Sequence, residues 1–340
     1  MNQTHSRWEC QPGNYIGEPS QMNERELERV VIGAKIWKIH NDDGLFEMTD
    51  NAIENGFNDL INTYKDVGIL VNIVDEENIY SDSLYYFASY ARPFELMQSY
   101  SIDTLINFYY LPNIDYTEFS LTGYGQAFNL PGNELFVAGN ECVYVDGNVE
   151  CYDLANSFIP IHELGHCFGL MHPHSITYGT EHVIRPDDVP DLLCEINCYD
   201  SGDFLCDTEA SNSLKNDVSY SNEECVYELI ETDLCEDIYT PQIDNFMSYT
   251  HFECANSFTQ NQIDRMFDRI ENYNIVSDTI IGIGDLDNNS EINIFDILIL
   301  INIILSDQTI DDLYLWLGDL NYDNMIDIID AIQLINLILD

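Results

Sequence analysis

The chain has 340 residues and sets 61 acidic side chains against 11 basic ones, a formal charge of −50. A length of this order accommodates about two domains, and so dense a negative charge repels phosphate backbones and anionic lipid, which argues against a nucleic-acid partner. With 45% hydrophobic and 12% aromatic residues the chain is nevertheless expected to fold, its anionic surface screened by divalent cations or salt. The most apolar stretch, 294–305, is interrupted by Asp296 and Asn302 and falls short of the about 18 apolar residues of a membrane span. The N-terminal MNQTHSRWECQPGNY has no signal-peptide pattern, yet ten cysteines point to an oxidising, extracellular or cell-surface location.

In chain order, residues 1–27 form an N-terminal segment and a candidate pro-segment. Residues 29–40 read as a strand, and 49–66 as a helix, with a Thr49 cap and apolar residues at Ile53, Phe57, Leu60 and Ile61. A strand is expected at 68–74, a short helix at 94–101, and further strands at 104–111 and 134–138, so strands and helices alternate as in an α/β layer. Asp146-Gly147 is a type I′ turn signal that pairs 145 with 148 and, counting outward, Cys142 with Cys151. They read as a disulfide across a non-hydrogen-bonded pair or as two unpaired strand cysteines. An apolar helix over 157–170 leads into a long cysteine-rich stretch to about 240, and another helix follows near 258–272.

His162-Glu163-Leu164-Gly165-His166-Cys167-Phe168-Gly169-Leu170-Met171-His172 reads HExxHxxGxxH. Residues four apart share a helix face, so His162 and His166 can offer two neutral imidazoles to one zinc ion. Gly169 is placed to end the helix in a left-handed conformation and to turn the chain so that His172 becomes the third ligand. Three ligands leave one position for a water whose pKa zinc lowers to about 7, and Glu163 is then the general base of peptide hydrolysis. Chance co-occurrence of the five specified residues is on the order of one chain in 10⁵ at average composition, which favours this reading over three ordinary core histidines.

These residues carry the signature of the metzincin metalloproteases. Residues 245–266, NFMSYTHFECANSFTQNQIDRM, resemble NxMxYxxxxC…FTxxQxxRM of the pappalysin-like group, and Gly202-Asp203-Phe204-Leu205-Cys206-Asp207-Thr208 resembles its GDxVxDT element. The resemblance covers 28–275 and implies a metzincin catalytic domain of α/β (α+β) class, with a twisted mixed sheet and an active-site helix. It further implies that Met247 floors the zinc site and that Tyr249 approaches the metal or stabilises the oxyanion. Members of this group tend to cleave before basic residues through an acidic S1′ pocket, and Glu253 stands where the acidic residue is expected, although a surface glutamate reads the same way in so acidic a chain. Glu209 replaces the proline that usually follows the GDxVxDT element, and Cys167 and Cys206 fall inside the motifs. By resemblance Cys198 pairs with Cys235 and Cys225 with Cys254, while Cys10, Cys167, Cys194 and Cys206 stay unassigned. Cys10 reads either as a latency thiolate for the zinc or as a disulfide partner.

After a linker at 276–282, residues 283–340 hold two copies of one pattern 34 residues apart. Asp285, Asp287, Asn289, Asn293 and Asp296 in the first copy, and Asp319, Asn321, Asp323, Asp327 and Asp330 in the second, place oxygen side chains where an EF-hand-like loop binds calcium. Glu291 and Met325 would each add a carbonyl at the seventh position. Each loop runs into a short apolar helix, and the arrangement resembles a type I dockerin domain, small, all-α and binding two calcium ions. The catalytic domain leaves room for more. Ser290 and Asn324 stand where glycine is usual, and serine tolerates the left-handed turn poorly, which makes the first loop the weaker site. Ile294-Phe295 and Ile328-Ile329 occupy the partner-facing positions, which leaves either a cohesin-like partner or intramolecular packing on the protease.

The expectation is therefore a secreted zinc endopeptidase acting on protein or peptide substrates, tethered through a dockerin-like module. The alternative is a non-catalytic zinc- and calcium-binding protein of an extracellular assembly. Glu163 separates them, because a closed structural site needs a fourth protein ligand and no base.

Overall fold

The computed structural model describes residues 27–339 except 47, 87–98, 113, 117–120, 124, 146–147, 187, 189–193, 215–216 and 307–308, and gives only the backbone of 86, 114–116, 121–123, 140–145 and 148–152. Cys10, the Asp146-Gly147 turn, the Cys142 and Cys151 side chains and most of the helix expected at 94–101 lie outside the described residues.

Strand β1 (Val30–His40) leads through helix α1 (Asp50–Asp66) to the parallel strand β2 (Ile69–Tyr80). Thr49 caps α1 by accepting from the Ala52 N–H at 3.1 Å, and the helix buries Ile53, Phe57, Leu60 and Tyr64 against the sheet. After a one-turn helix α2 (Asp82–Tyr86), strand β3 (Ile106–Leu111) pairs parallel to β1. A small hairpin of β4 (Ile114–Tyr116) and β5 (Leu121–Gly123) precedes β6 (Gly125–Ala127) and β7 (Glu134–Ala138). In the six-stranded mixed sheet β7 lies parallel to β3, and β6 lies antiparallel to β7 at the edge. Strands β8 (Asn140–Val145) and β9 (Asn148–Asp153) form the hairpin, with Cys142 opposite Cys151 and Val145 opposite Asn148.

Both faces of the sheet centre are covered. On one, Phe57 of α1 meets Phe108 with centroids 4.8 Å apart, and the Tyr64 hydroxyl donates to Ile161 O at 2.8 Å, tying α1 to the active-site helix α3 (Ile159–Cys167). On the other, Trp37, Tyr109 and Phe136 lie in register across β1, β3 and β7 and stack at 6.0 and 4.9 Å. Strand β2 continues well past the expected 68–74 through Asp75, Glu76 and Glu77, whose side chains are exposed. Its polar half is held by cations on β1: Lys35 pairs with Asp75 at 2.7 Å and Glu77 at 2.9 Å, and Lys38 pairs with Glu76 and Asp50.

The long segment after α3 holds one short hairpin, β10 (Val218–Ser221) with β11 (Glu224–Tyr227). It is stapled by Cys194–Cys235, Cys198–Cys206 and Cys225–Cys254. This corrects the Cys198–Cys235 pairing that the resemblance implies. The turn through 198–206 brings the Cα atoms of Cys198 and Cys206 to 5.1 Å, within bonding range, and Cys194 stands 6.0 Å from Cys235. Cys167 is a free, buried thiol.

Helix α4 (Gln260–Asn272), the one-turn α5 (Asn274–Ser277) and the short β12 (Ile280–Ile281), antiparallel to β1, close the body. Three helices follow: α6 (Ile294–Leu305), α7 (Asp312–Gly318) and α8 (Ile328–Leu339). Leu286, Leu300, Ile326, Ala331 and Leu334 give them a small core of their own. They dock on the body through Leu317 against Val31, Leu70 and Ile281, and through Arg29, which bonds Asp319 and covers the Tyr322 ring at 4.5 Å. Lys65 adds an ion pair with Asp312. Among the described residues no helix is long and apolar enough to cross a membrane.

Candidate active site

Helix α3 is buried along its whole length, its polar His162, Glu163 and His166 included, with proline in its first turn, where no intrahelical donor is lost. It ends on Gly169 at φ +82°, with Leu170 N–H donating to Gly165 O at 2.9 Å and Gly169 N–H to His166 O at 2.8 Å. That is a Schellman ending, and it requires the left-handed residue that glycine supplies. The reversal brings His172 back over the helix.

The Nε2 atoms of His162, His166 and His172 converge to 3.0–3.1 Å of one another, all three residues being buried. His162 Nδ1 faces Phe246 O and His166 Nδ1 faces Leu170 O, both at 2.7 Å. A carbonyl can only accept, so each Nδ1 carries the proton and, in the neutral ring, each Nε2 presents a lone pair. Two lone pairs at 3.1 Å repel unless a cation lies between them. Burial depresses His162 to about 4 and drives His166 and His172 well below the ordinary range, so the rings are neutral donors of the kind zinc takes. The donor set fits a zinc ion.

Glu163 is buried between α3 and the edge strand β6. A Cβ at Gly125 would lie 2.6 Å from Glu163 Oε1, so the strand passes this close because that residue is glycine. The Ala127 N–H donates to the carboxylate, while Oε2 has no partner among the described residues. Burial pushes the carboxyl up to about 8, and a dication held by the adjacent imidazoles would pull it back toward the ionised form.

The turn at 245–249 lies beneath the histidines. Met247 is fully buried with its sulfur under Gly165, and the Tyr249 ring stands 4.5 Å from the His172 ring and 5.9 Å from that of His162. Asn245 and Gln262 exchange two amide hydrogen bonds at 2.8 and 3.1 Å, and Asn245 Oδ1 also accepts from Met247 N–H. Thr259 and Gln262 form the capping box of α4, whose N-terminus also receives the Asp207 carboxylate. Arg265 reaches from α4 to the carbonyls of Asp203 and Phe204. The motif residues Asn245, Thr259, Gln262, Arg265, Asp203, Asp207 and Thr208 therefore form one polar brace that holds the Phe246 carbonyl on His162.

Glu253 is exposed in the loop beyond the turn, its N–H donating to His251 Nδ1. One residue absent from the sequence reading lies beside the three histidines: His174 is buried, stacked on His172 and 4.5 Å from Tyr249. The signal was the HPH triplet, since a second histidine so close to a ligand has few neighbours to choose from.

The two acidic loops have the same hydrogen bonds. Asp285 accepts from the N–H groups of Asn289 and Ser290, and Asp296 from Leu286, Asp287 and Asn293. Asp319 and Asp330 repeat both sets 34 residues later. Ser290 and Asn324 are left-handed, at φ +66° and +63°. Carboxylate oxygens of Asp285, Asp287 and Asp296 lie within 4.8 Å of one another, whereas in the second copy the Arg29 guanidinium sits 3.3 Å from Asp319 Oδ2.

Residues 142–271 match the family model of the M43 peptidases, described as pregnancy-associated plasma protein-A. The match spans the three histidines, Glu163 and Met247. No curated protein matches the chain in sequence. Among solved structures the chain is similar to mirolysin in complex with a compound, at TM-score 0.50 and 14% identity, covering 75% of this chain and 97% of that one. That likeness concerns the fold. Archaemetzincin from Methanopyrus kandleri (TM-score 0.28, 18% identity, 41% of this chain and 76% of that one) and metalloproteinase-II from Bacteroides fragilis (TM-score 0.28, 10% identity, 47% and 51%) are more distant. The family match and the histidine cluster support a zinc metalloprotease.

Proposed function

We propose that residues 28–275 form a secreted zinc endopeptidase of the pappalysin-like metzincin type. Residues 276–282 then link it to a dockerin-like calcium-binding module at 283–340. The observation that carries the reading is the convergence of three Nε2 atoms beside a buried carboxylate with one oxygen unpartnered among the described residues.

Zinc held there supplies Lewis acidity that brings a water close to ionisation at neutral pH. Glu163 takes the proton of the attacking water and returns it to the leaving amine nitrogen. Strand β6, bonded to Glu163 through Ala127, fixes the carboxylate on that line. The Phe246 and Leu170 carbonyls keep His162 and His166 in the tautomer that offers Nε2. Tyr249, packed on His172, donates its phenol to the carbonyl oxygen as charge grows there. Glu253 belongs to an acidic S1′ pocket that prefers basic residues, which a peptide-library cleavage profile would test against Glu253→Gln.

The acidic loops are calcium sites, and the exposed Ile294, Phe295, Ile328 and Ile329 face a cohesin-like partner, since docking on the body uses Leu317 and Arg29 instead. The decisive experiment is Glu163→Ala: zinc stays bound by metal analysis, and cleavage falls by at least about 10³-fold. Undiminished cleavage would defeat the mechanism.

A further inference from the structure

His174 lies two residues beyond the third histidine and is 9% exposed, and among the described residues neither of its ring nitrogens has a hydrogen-bond partner. A neutral imidazole carries one N–H and one lone pair, and leaving such groups buried and unsatisfied is costly. A buried histidine usually meets the demand with a carbonyl, as His162 and His166 do at 2.7 Å. His174 does not. Nor does it belong to the ligand set, because the nitrogens that lie within 4.8 Å of one another are those of His162, His166 and His172.

Its position is nonetheless defined on two sides. The ring stacks on His172 with centroids 4.8 Å apart and 13° between planes, and Tyr249 closes against both rings at 4.5 Å. The imidazole is thus held beside His172 and beside the phenol assigned to the carbonyl oxygen, with its polar atoms left for a partner outside the described residues. In a peptidase cleft the missing partner is the substrate backbone.

We propose that His174 contacts the substrate, its ring N–H donating to the carbonyl oxygen of the peptide bond under attack, next to Tyr249. The proposal rests on the endopeptidase reading. A rigid donor aimed at an oxygen that gains charge acts more strongly in the transition state than on the bound peptide, so kcat carries the effect and KM does not.

Two variants test it. His174→Phe keeps the ring between His172 and Tyr249 and removes both nitrogens, while His174→Gln keeps an N–H donor. Three quantities are read: zinc per chain, kcat and KM on one peptide, and calorimetric affinity for a phosphinic peptide that mimics the tetrahedral geometry. Both variants are expected to hold zinc as the parent does. His174→Phe should lose about 10²-fold in kcat and a similar factor in phosphinate affinity, with KM little changed, and His174→Gln should recover part of both. Unchanged kcat and phosphinate affinity in His174→Phe would overturn the assignment. Loss of zinc would make the residue a ligand, and equal losses of kcat in both variants with phosphinate affinity intact would make it a packing residue; either overturns it. Parent protein that holds zinc but neither cleaves peptides nor binds the phosphinate would defeat the endopeptidase reading itself.

Discussion

The histidine centre and the acidic loops both gather ligand-type side chains, and they are built in opposite ways. Imidazoles at the centre are aimed by carbonyls, one of them 84 residues away at Phe246, so the geometry depends on the whole body being folded. The aspartates of each loop are aimed by N–H groups of the same twelve-residue loop, so that geometry is local. The charges differ as well. The rings are neutral and repel only through their lone pairs, whereas Asp285, Asp287 and Asp296 bring carboxylates within 4.8 Å and gain far more from a cation than the fold alone supplies.

Metal removal should split the two regions most sharply. A zinc chelator should reduce cleavage by about 10⁴-fold or more while circular dichroism shows the body still folded, because the carbonyl brace does not need the ion. A calcium-selective chelator should leave kcat unchanged and raise hydrogen exchange across 285–296 and 319–330. Unfolding of the body on zinc removal, or loops indifferent to calcium, would erase the contrast.

A second break comes from a distance. Asn245→Ala leaves the buried Gln262 Nε2 without its acceptor and frees the turn that presents Phe246 O. The cost should be about 2–3 kcal/mol in thermal or denaturant unfolding, with zinc affinity falling roughly 10-fold or more. If stability drops and zinc affinity holds, the brace serves the fold and not the metal.

How much of this was legible follows the same division. The loops and the HExxHxxGxxH helix are local patterns, and so is the left-handed Gly169, so spacing alone anticipated them. The brace was visible only as a likeness of motifs, since nothing in the spacing of Asn245 and Gln262 says that their amides meet. The expected strand at 68–74 stops short of the acidic run Asp75-Glu76-Glu77; Lys35 and Lys38, buried on the neighbouring strand, carry the ladder through it. Of the two pairings that the resemblance implies, Cys225–Cys254 is present and Cys198–Cys235 is not: the choice between Cys194 and Cys198 for Cys235 is made by a turn that spacing does not describe.

Buried carboxylates sharpen the comparison further. The loop aspartates each accept backbone N–H groups, but Glu181, 4% exposed beside Asp203, has only Arg185 at 3.1 Å. Burial and the Asp203 charge push it up to about 9. The folded state therefore holds a proton that the unfolded chain releases near 4.5, so this group makes stability fall as pH rises from about 4.5 to about 9. Glu181→Gln should flatten that decline and raise the melting temperature at pH 8 by a few degrees. Parallel melting curves for parent and variant would show that the charge is compensated.

The smallest effect tests the local half of the comparison at one backbone position. Ser290 and Asn324 are equivalent in the two loops and share a left-handed backbone, at φ +66° and +63°. A serine there carries a steric penalty of about 1 kcal/mol that asparagine partly escapes and glycine avoids. Ser290→Gly removes the strain from the folded loop but adds freedom to the unfolded chain, and the two effects oppose. At a left-handed position the first should win, so Ser290→Gly should stabilise the first loop by roughly 0.5–1 kcal/mol and tighten its calcium binding accordingly. Asn324→Gly should change little. Because the loops are self-contained, neither substitution should alter zinc content or kcat; a change in either would mean that strain in the loops is transmitted through the Leu317 and Arg29 contacts to β1.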